Sequence, residues 1–197
     1  MNDFFLATTN PHKVREISEI LGDSVTLLAR PESIPDIDET GETVIENARI
    51  KATAIVRETG QAAIADDTGL EVDALGGAPG VHSARYAGEG SSYQENVAKL
   101  LRELSSVSES RAARFRTVAI AVCPDGREVV AEGFVLGRIA TEPRGEAGFG
   151  YDPIFIPIEG DGRTFAEMTP REKNRMSHRG AAFKLLRDLL QEVADRP

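Results

Sequence analysis

The chain has 197 residues, a formal net charge of −9 at pH 7 and 41% hydrophobic residues. This length and apolar share suit one globular domain with a sizeable core, and they exclude a disordered or low-complexity chain. We therefore expect a single domain over residues 1–197.

The composition also excludes several partners and compartments. The longest apolar stretch is the six residues of Val118–Cys123, whereas crossing a membrane takes about 20, so we expect no membrane partner. The N-terminus carries Asp3 where a secretory signal has bases, and the single cysteine, Cys123, excludes an intrachain disulfide. A cytoplasmic location is predicted. Nucleic acid is not an expected partner, because binding it requires a basic surface.

The first part of the chain predicts a strand, a loop, a helix and a second strand. Phe4–Ala7 is a short apolar run, and apolar residues then recur at helical spacing after Pro11. Asn10 is a good N-cap, and Pro11 is a good first helical residue because its missing N–H would have no intrahelical partner. The second strand is predicted at residues 25–28.

A second helix and a third strand are predicted next. Thr43 and Glu46 form a capping box, apolar residues mark one face of the helix, and Gly60 ends it. The apolar strand Ala62–Ala65 then leads into residues 66–69, Asp-Asp-Thr-Gly, which we expect to be a turn. That turn would lie at the carboxyl end of the strand, the end that carries ligands in α/β sheets.

The second half of the chain mixes strands and helices. The predicted elements are a helix at Tyr93–Leu104, a hairpin of strands at Phe115–Val122 and Glu128–Leu136, a glycine-rich loop at Gly145–Tyr151, a strand at Ile154–Ile156, and a final helix after Ser177. This order predicts an α/β fold, a twisted mixed β-sheet with flanking helices.

The first candidate site is the loop between the first strand and the first helix, Thr8-Thr9-Asn10-Pro11-His12-Lys13. A strand-to-helix turn of this kind aims unpaired backbone N–H groups and the positive end of the helix dipole at one point, which suits phosphate. Lys13 would add a full charge. The alternative is an ordinary capped helix with a surface lysine.

The second candidate site combines Asp66 and Asp67 with Glu39. Mg²⁺ prefers oxygen ligands and usually takes one or two carboxylates, with waters and substrate phosphates completing its shell. Adjacent strand residues point to opposite faces, so Asp66 and Asp67 can both face one ion only if the strand has ended there. The alternative is a polar turn without a metal.

Two more candidate sites lie near the C-terminus. Lys173 and Arg179 offer charges for phosphate, and His178 between them in the sequence can donate one N–H. In Phe149-Gly150-Tyr151-Asp152, the glycine permits close approach of the backbone and an aromatic ring could stack on a base. The alternatives are a basic solvated helix start and a loop anchored in the core by Phe149 and Tyr151.

Taken together, these segments resemble the inosine triphosphate pyrophosphatases, also called dITP/XTP pyrophosphatases. The resemblance spans almost the whole chain, in the family's order. Its matching stretches are LATTNPHK (6–13), DETGETVIENA (38–48), AIADDTGLEVDALGGAPGVHSARYAG (63–88), GFGYDPIF (148–155) and FAEMTPREKNRMSHRGAAFKLL (165–186).

The resemblance implies hydrolysis of ITP, dITP or XTP to the nucleoside monophosphate and pyrophosphate. It also implies a Mg²⁺ cofactor, a homodimer, and an elongated α/β fold with the active site in a cleft between two lobes. Glu39 and Asp67 would hold the metal, with Asp66 at the same site and Asp67 also accepting a proton from the attacking water. Substrate contacts are assigned to Thr8, Thr9, Asn10, Pro11, His12, Lys13, Thr68, Phe149, Gly150, Tyr151, Asp152, Lys173, His178 and Arg179.

The sequence departs from the family pattern at three positions. Thr9 stands where glycine is usual in the phosphate loop, so the approach of the backbone to phosphate differs there. Thr68 replaces a serine and keeps the hydroxyl group. Val44 stands where phenylalanine is frequent.

Selection of the base is expected to depend on a buried donor. Hypoxanthine and xanthine carry a carbonyl oxygen where adenine carries an amino group, so Arg179 or His178 would pair with one and clash with the other. Guanine has the same carbonyl, so GTP must be rejected through its 2-amino group.

Two other functions stay open at this stage. The first is a pyrophosphatase that acts on other altered bases or on a pyrimidine triphosphate. The second is a nucleotide-binding module without catalysis, which the joint presence of Glu39, Asp66, Asp67 and Lys173 disfavours.

Overall fold

A computed structural model describes residues 3–107 and 110–194. Within them, the chain forms seven strands and five α-helices. In chain order these are β1 (Asp3–Leu6), α1 (Pro11–Leu21), β2 (Thr26–Ala29), α2 (Val44–Thr59), β3 (Ala63–Val72), β4 (Pro79–Gly80), α3 (Tyr93–Glu103), β5 (Ala112–Val122), β6 (Glu128–Ile139), β7 (Phe155–Pro157), α4 (Pro170–Met176) and α5 (His178–Ala194).

The strands form one mixed sheet. Its order is β2-β1-β3-β5-β6-β7, with β4 paired to β3 outside this path. Strand β1 runs parallel to both β2 and β3, whereas β4 and β7 are antiparallel to β3 and β6, respectively. The predicted α/β fold with a twisted mixed sheet and flanking helices is confirmed. The cleft between two lobes stays a prediction.

Local capping places the helix starts where the sequence predicts them. The Asn10 side chain caps α1, and Thr43 and Glu46 form the capping box of α2. Gly60 ends α2 in the left-handed conformation, with φ of 68°. Each of these motifs lies within a few residues of the helix end that it stabilises, so tertiary contacts are not needed to specify it.

The predicted turn at residues 66–69 is wrong, because β3 runs straight through them to Val72. Gly69 serves strand pairing: a Cβ there would lie 2.9 Å from the carbonyl oxygen of Gly80 on β4. The amide of Leu70 donates to the Ser83 hydroxyl at 2.9 Å. Pairing beyond the two aspartates therefore overrides the turn preference of Asp and Gly.

The chain divides into two compact units. Unit 1 comprises the residues up to Asp67, Thr117–Gly133 and the residues from Arg179 onward, and unit 2 comprises Thr68–Arg116 and Phe134–His178. Each unit has its own apolar core. Ile17, Ile64 and Phe183 are fully buried in unit 1, and Leu70, Phe155 and Phe165 are fully buried in unit 2.

No helix formed by residues 3–107 and 110–194 combines the length and the apolar character needed to cross a bilayer.

Candidate active site

The loop before α1 satisfies most of its own backbone donors. The Asn10 carboxamide oxygen accepts from the amides of His12 at 3.0 Å and Lys13 at 3.4 Å. The amide of Val14 donates to the Asn10 carbonyl at 3.0 Å. The prediction that unpaired N–H groups of this turn are available to a phosphate is therefore wrong for the amides of His12 and Lys13. Because the Asn10 cap already accepts hydrogen bonds from these amides, the loop offers a ligand chiefly its side chains.

Lys13 is part of a buried network of ion pairs in unit 1. Its ammonium nitrogen lies 3.1 Å from Oδ2 of Asp66. The Arg179 guanidinium, at the start of α5, donates to the same oxygen at 3.3 and 3.4 Å and to Oε2 of Glu16 at 2.7 Å. All these groups are buried or nearly so, and the network joins α1, β3 and α5.

The network fixes the ionisation of its members. Burial raises the pKa of Asp66, but Lys13 and Arg179 lower it more, so the carboxyl pKa lies well below its usual range. Burial also lowers the pKa of Lys13, which Asp66 only partly offsets. Asp66 is consequently ionised at neutral pH, with two cations on one of its oxygens.

A second charge cluster forms around Lys51 on α2. Its ammonium nitrogen lies 2.6 Å from Oε1 of Glu39 and 3.5 Å from Oδ1 of Asp67. Lys51 and Asp67 are buried, and Glu39 is half-buried. Carboxylates from a loop and from β3 therefore converge on one positive charge.

Burial and the neighbouring charges shift the pKa values of both Asp67 and Lys51. Burial raises the pKa of Asp67, and Glu39 and Asp66 raise it further against the opposing effect of Lys51 and Lys13. Burial lowers the pKa of Lys51, but Asp67 and Glu39 outweigh it, so this pKa is raised. The field around the carboxylates thus holds Lys51 charged.

The carboxylate oxygens fit a divalent cation in part. Oδ2 of Asp67 and Oδ1 of Asp66 are buried without a hydrogen-bond partner, and such oxygens are ligands that Mg²⁺ prefers. In the described part of the chain, however, no three His, Cys, Asp or Glu side chains are grouped closely enough to hold a metal. Glu39 and Asp67 are brought together by Lys51, whereas Oδ2 of Asp66 is bound to Lys13 and Arg179.

A third cluster lies in unit 2, around Lys173 on α4. Its ammonium nitrogen lies 2.5 Å from Oδ2 of Asp152 and 4.8 Å from the centroid of the Phe149 ring. The same Asp152 oxygen accepts from the Phe149 amide at 2.8 Å. Gly148 makes room for this carboxylate, because a Cβ there would clash with Oδ2 of Asp152 and the φ of 74° disfavours other residues. The predicted residues of this loop are thus held around one lysine.

Two other predicted contacts in unit 2 are packed against its core. Tyr151 is buried and donates its hydroxyl to the Ser83 carbonyl at 2.9 Å, and burial raises the pKa of its phenol. The His178 ring is buried and stacks on Phe115 at 4.5 Å. Tyr151 therefore anchors the glycine-rich loop. Thr68, the next residue after Asp67 along β3, is half-buried.

Sequence reasoning missed two residues of the unit 1 clusters. Lys51 lies on the same helix face as Ala48, Ala52 and Ile55, all fully buried. A lysine on the buried face of a helix, next to Ala48, Ala52 and Ile55, was the available signal. Glu16 carries no comparable signal, because its position beside Arg179 depends on packing between α1 and α5.

The chain is similar to known proteins over almost its whole length. The chain matches the model of the Ham1 family over residues 4–189. It is 50% identical to the dITP/XTP pyrophosphatase of Bacillus subtilis (strain 168) over 97% of this chain and 98% of that protein. It is 50% identical to the dITP/XTP pyrophosphatase of Porphyromonas gingivalis over 96% of this chain and 98% of that protein.

Solved structures agree. A HAM1 protein from Coxiella burnetii superposes with a TM-score of 0.89 at 42% identity, covering 98% of this chain and 100% of that one. The Ham1 protein of Staphylococcus aureus superposes with a TM-score of 0.85 at 40% identity, covering 96% and 98%.

We expect the substitution Asp66→Asn to destabilise the protein. It leaves Lys13 and Arg179 buried without their shared carboxylate, so the free energy of unfolding should fall by about 3 kcal/mol, measured by urea denaturation at pH 7. The pKa of Asp66 in the folded protein is lower than its ordinary value of 3.8. The ionised Asp66 therefore stabilises the fold fully above pH 3.8, and this stabilisation is lost as the pH falls from 3.8 toward the lowered pKa.

The matched control is Asp125→Asn, which breaks an exposed ion pair with Arg127. It should leave the denaturation midpoint close to that of the native sequence. Equal midpoints for Asp66→Asn and the native protein would contradict the role given to Asp66.

Proposed function

The chain belongs to the Ham1 family, and from that premise we propose that it hydrolyses the non-standard purine nucleoside triphosphates ITP, dITP and XTP to the monophosphate and pyrophosphate. The observation that carries the proposal is the convergence of Glu39 and Asp67 on Lys51, close enough to Lys13 for Lys51 and Asp67 to affect the pKa of Lys13. Such a site can bind a polyphosphate together with its cation, and it leaves one carboxylate to accept a proton from the attacking water.

Asp67 is the proposed acceptor of the proton from the attacking water. The water oxygen forms a bond to the α-phosphorus, its proton passes to the Asp67 carboxylate, and the bond between the α-phosphorus and the bridging oxygen breaks to release pyrophosphate. Without a cation, burial raises the pKa of Asp67. A bound cation favours the ionised carboxylate, so we assign Asp67 to orienting the attacking water as well as to accepting its proton.

We propose Mg²⁺ as the cofactor, held by Glu39 and Asp67 with Asp66 behind them. When bound, the ion supplies charge neutralisation on the phosphates and orientation of the water. The unpartnered Oδ2 of Asp67 supports this assignment. Asp66, its neighbour on the unbroken strand β3, is directed to Lys13 and Arg179. Lys51 keeps Glu39 and Asp67 together despite their mutual repulsion.

Lys13 and its loop are the proposed phosphate contacts. Thr8, Thr9 and Lys13 offer side-chain donors, because Asn10 has already taken the amides of His12 and Lys13. Arg179 donates to Asp66 and Glu16, so we assign it to neutralising these two buried carboxylates beside the phosphate contacts. In unit 2 we assign Phe149, Asp152, Lys173 and His178 to the nucleoside.

The reaction is tested by incubating the protein with Mg²⁺ and a panel of ITP, dITP, XTP, the four standard ribonucleotides and a pyrimidine analogue. We expect inosine and xanthosine triphosphates to give monophosphate and pyrophosphate, resolved by ion-exchange chromatography. Asp67→Asn should lower kcat by about a hundredfold or more, since it removes the proton acceptor.

Release of orthophosphate in place of pyrophosphate would refute the proposed reaction. Near-native kcat in folded Asp67→Asn, with folding checked by circular dichroism, would refute the role of Asp67. Omitting Mg²⁺ and adding a chelator should abolish turnover if the cofactor is assigned correctly.

Base selection is assigned to His178, because the Arg179 guanidinium donates to two carboxylates. The substitution His178→Phe keeps an aromatic ring for stacking on Phe115 and removes the N–H donor. We expect the ratio of kcat/KM for ITP over ATP to fall about tenfold, the effect of one buried hydrogen bond. An unchanged ratio would contradict this assignment.

We also propose a homodimer in the cytoplasm. Phe134, Leu136 and Ile158 are 63%, 52% and 66% exposed, and the Ile158 amide donates to the Leu136 carbonyl at 2.9 Å. They form one apolar patch on β6 and the end of β7, and exposed apolar patches mark interaction surfaces. A second copy of the chain is the proposed occupant.

The patch is tested by Phe134→Asp in sedimentation velocity. A charge in the interface should convert a dimeric native protein to a monomer, whereas Val193→Asp, at an exposed residue of α5, should leave it dimeric. A dimer unaffected by Phe134→Asp would place the interface elsewhere.

A further inference from the structure

Asn47 on α2 holds the loop that carries Glu39. It is fully buried, and its Oδ1 accepts from the amide of Gly41 at 2.8 Å. The Asn47 side chain is bound to the Gly41 amide and is not itself one of the proposed metal or substrate ligands. Its acceptor fixes the backbone two residues after the Glu39 carboxylate.

The neighbouring amides are held in the same way. Oε2 of Glu46 accepts from the amides of Glu42 at 2.7 Å and Thr43 at 3.0 Å. Side chains from the first turns of α2 therefore capture three consecutive backbone donors, those of residues 41, 42 and 43. The backbone after Glu39 is thereby fixed to the helix.

Gly41 approaches α2 so closely that no larger residue fits. A Cβ at Gly41 would lie 2.6 Å from the Glu46 Cβ and 2.7 Å from the Asn47 Oδ1. Gly41 is not among the glycines with positive φ, so glycine is required here by space and not by backbone conformation. The contact between Gly41 and Asn47 is thus tight as well as hydrogen-bonded.

Asn47 and Lys51 lie one helical turn apart, which places them on the same face of α2. Lys51 binds the Glu39 carboxylate directly, and Asn47 binds the backbone that follows it. We propose that Asn47, acting through Gly41, is a positioning residue that sets the Glu39 carboxylate for its cation. This inference rests on the proposed function, because it assumes that Glu39 is a metal ligand.

One detail distinguishes this role from general packing. Nδ2 of Asn47 is buried without a hydrogen-bond partner. The position therefore uses only the oxygen of the carboxamide. Asn47→Asp keeps an acceptor for the Gly41 amide, while burial of its carboxyl group lowers the stability of the fold. Asn47→Leu keeps a similar volume and removes the acceptor.

Asn96 on α3 provides a matched control. It also follows a capping box, of Ser92 and Glu95, and its Oδ1 accepts from the Ala87 amide at 2.7 Å. Asn96 lies in unit 2 and Asn47 in unit 1. Asn96→Leu therefore removes a buried acceptor, together with the hydrogen bond that Nδ2 donates to the Ala84 carbonyl at 3.0 Å, from a loop that does not carry Glu39.

The experiment measures binding of Mn²⁺, as a probe for the divalent site, by electron paramagnetic resonance without nucleotide. We expect Asn47→Leu and Gly41→Ala to raise the Kd for Mn²⁺ about tenfold, as loss of a residue that orients a ligand does. Asn47→Asp and Asn96→Leu should bind Mn²⁺ with affinity similar to that of the native protein.

Native affinity in folded Asn47→Leu and Gly41→Ala would overturn the inference while leaving the proposed function intact. A native protein that hydrolyses ITP but binds no Mn²⁺ would overturn the inference and the metal assignment together. If Asn47→Leu does not fold, the comparison of Gly41→Ala with Asn47→Asp decides: weak binding in the first alone supports the inference, and equal binding overturns it.

Discussion

The structure of unit 1 depends on neutralising two consecutive carboxylates inside a sheet. Asp66 and Asp67 are both buried in β3, which continues past them, and burying an isolated carboxylate is costly. Because neighbours on a strand point to opposite faces, each needs its own partners. Lys13 and Arg179 bind Asp66, and Lys51 binds Asp67.

This constraint links local capping to chemistry. Lys13 reaches Asp66 because Asn10 begins α1 three residues earlier, and Lys51 reaches Asp67 because α2 begins at Val44. A helix that began elsewhere would present a different face to the strand. The caps thus determine which cation meets which carboxylate, and with it the distribution of charge around the proposed metal site.

The charges are also arranged unequally, which suits different roles. Asp66 has a lowered pKa and cations on one oxygen, so it behaves as a fixed charge. Asp67 has a raised pKa and an unpartnered oxygen, so it can accept a proton or a metal. Environments that push apart the pKa values of adjacent carboxyl groups are a common basis for dividing catalytic roles. In unit 2, Lys173 and Asp152 form a separate buried pair.

The sequence by itself determined the features that depend on near neighbours: the cap at Asn10, the capping box of Thr43 and Glu46, and the helix starts. It also determined the family, because motifs along almost the whole chain carry the resemblance that the Ham1 match confirms. Tertiary structure alone decided that β3 continues through Asp66 and Asp67, that Lys51 joins Glu39 to Asp67, and that Glu16 meets Arg179. Propensity sees only local backbone preference, whereas these outcomes depend on strand pairing and on charges brought together from distant parts of the chain.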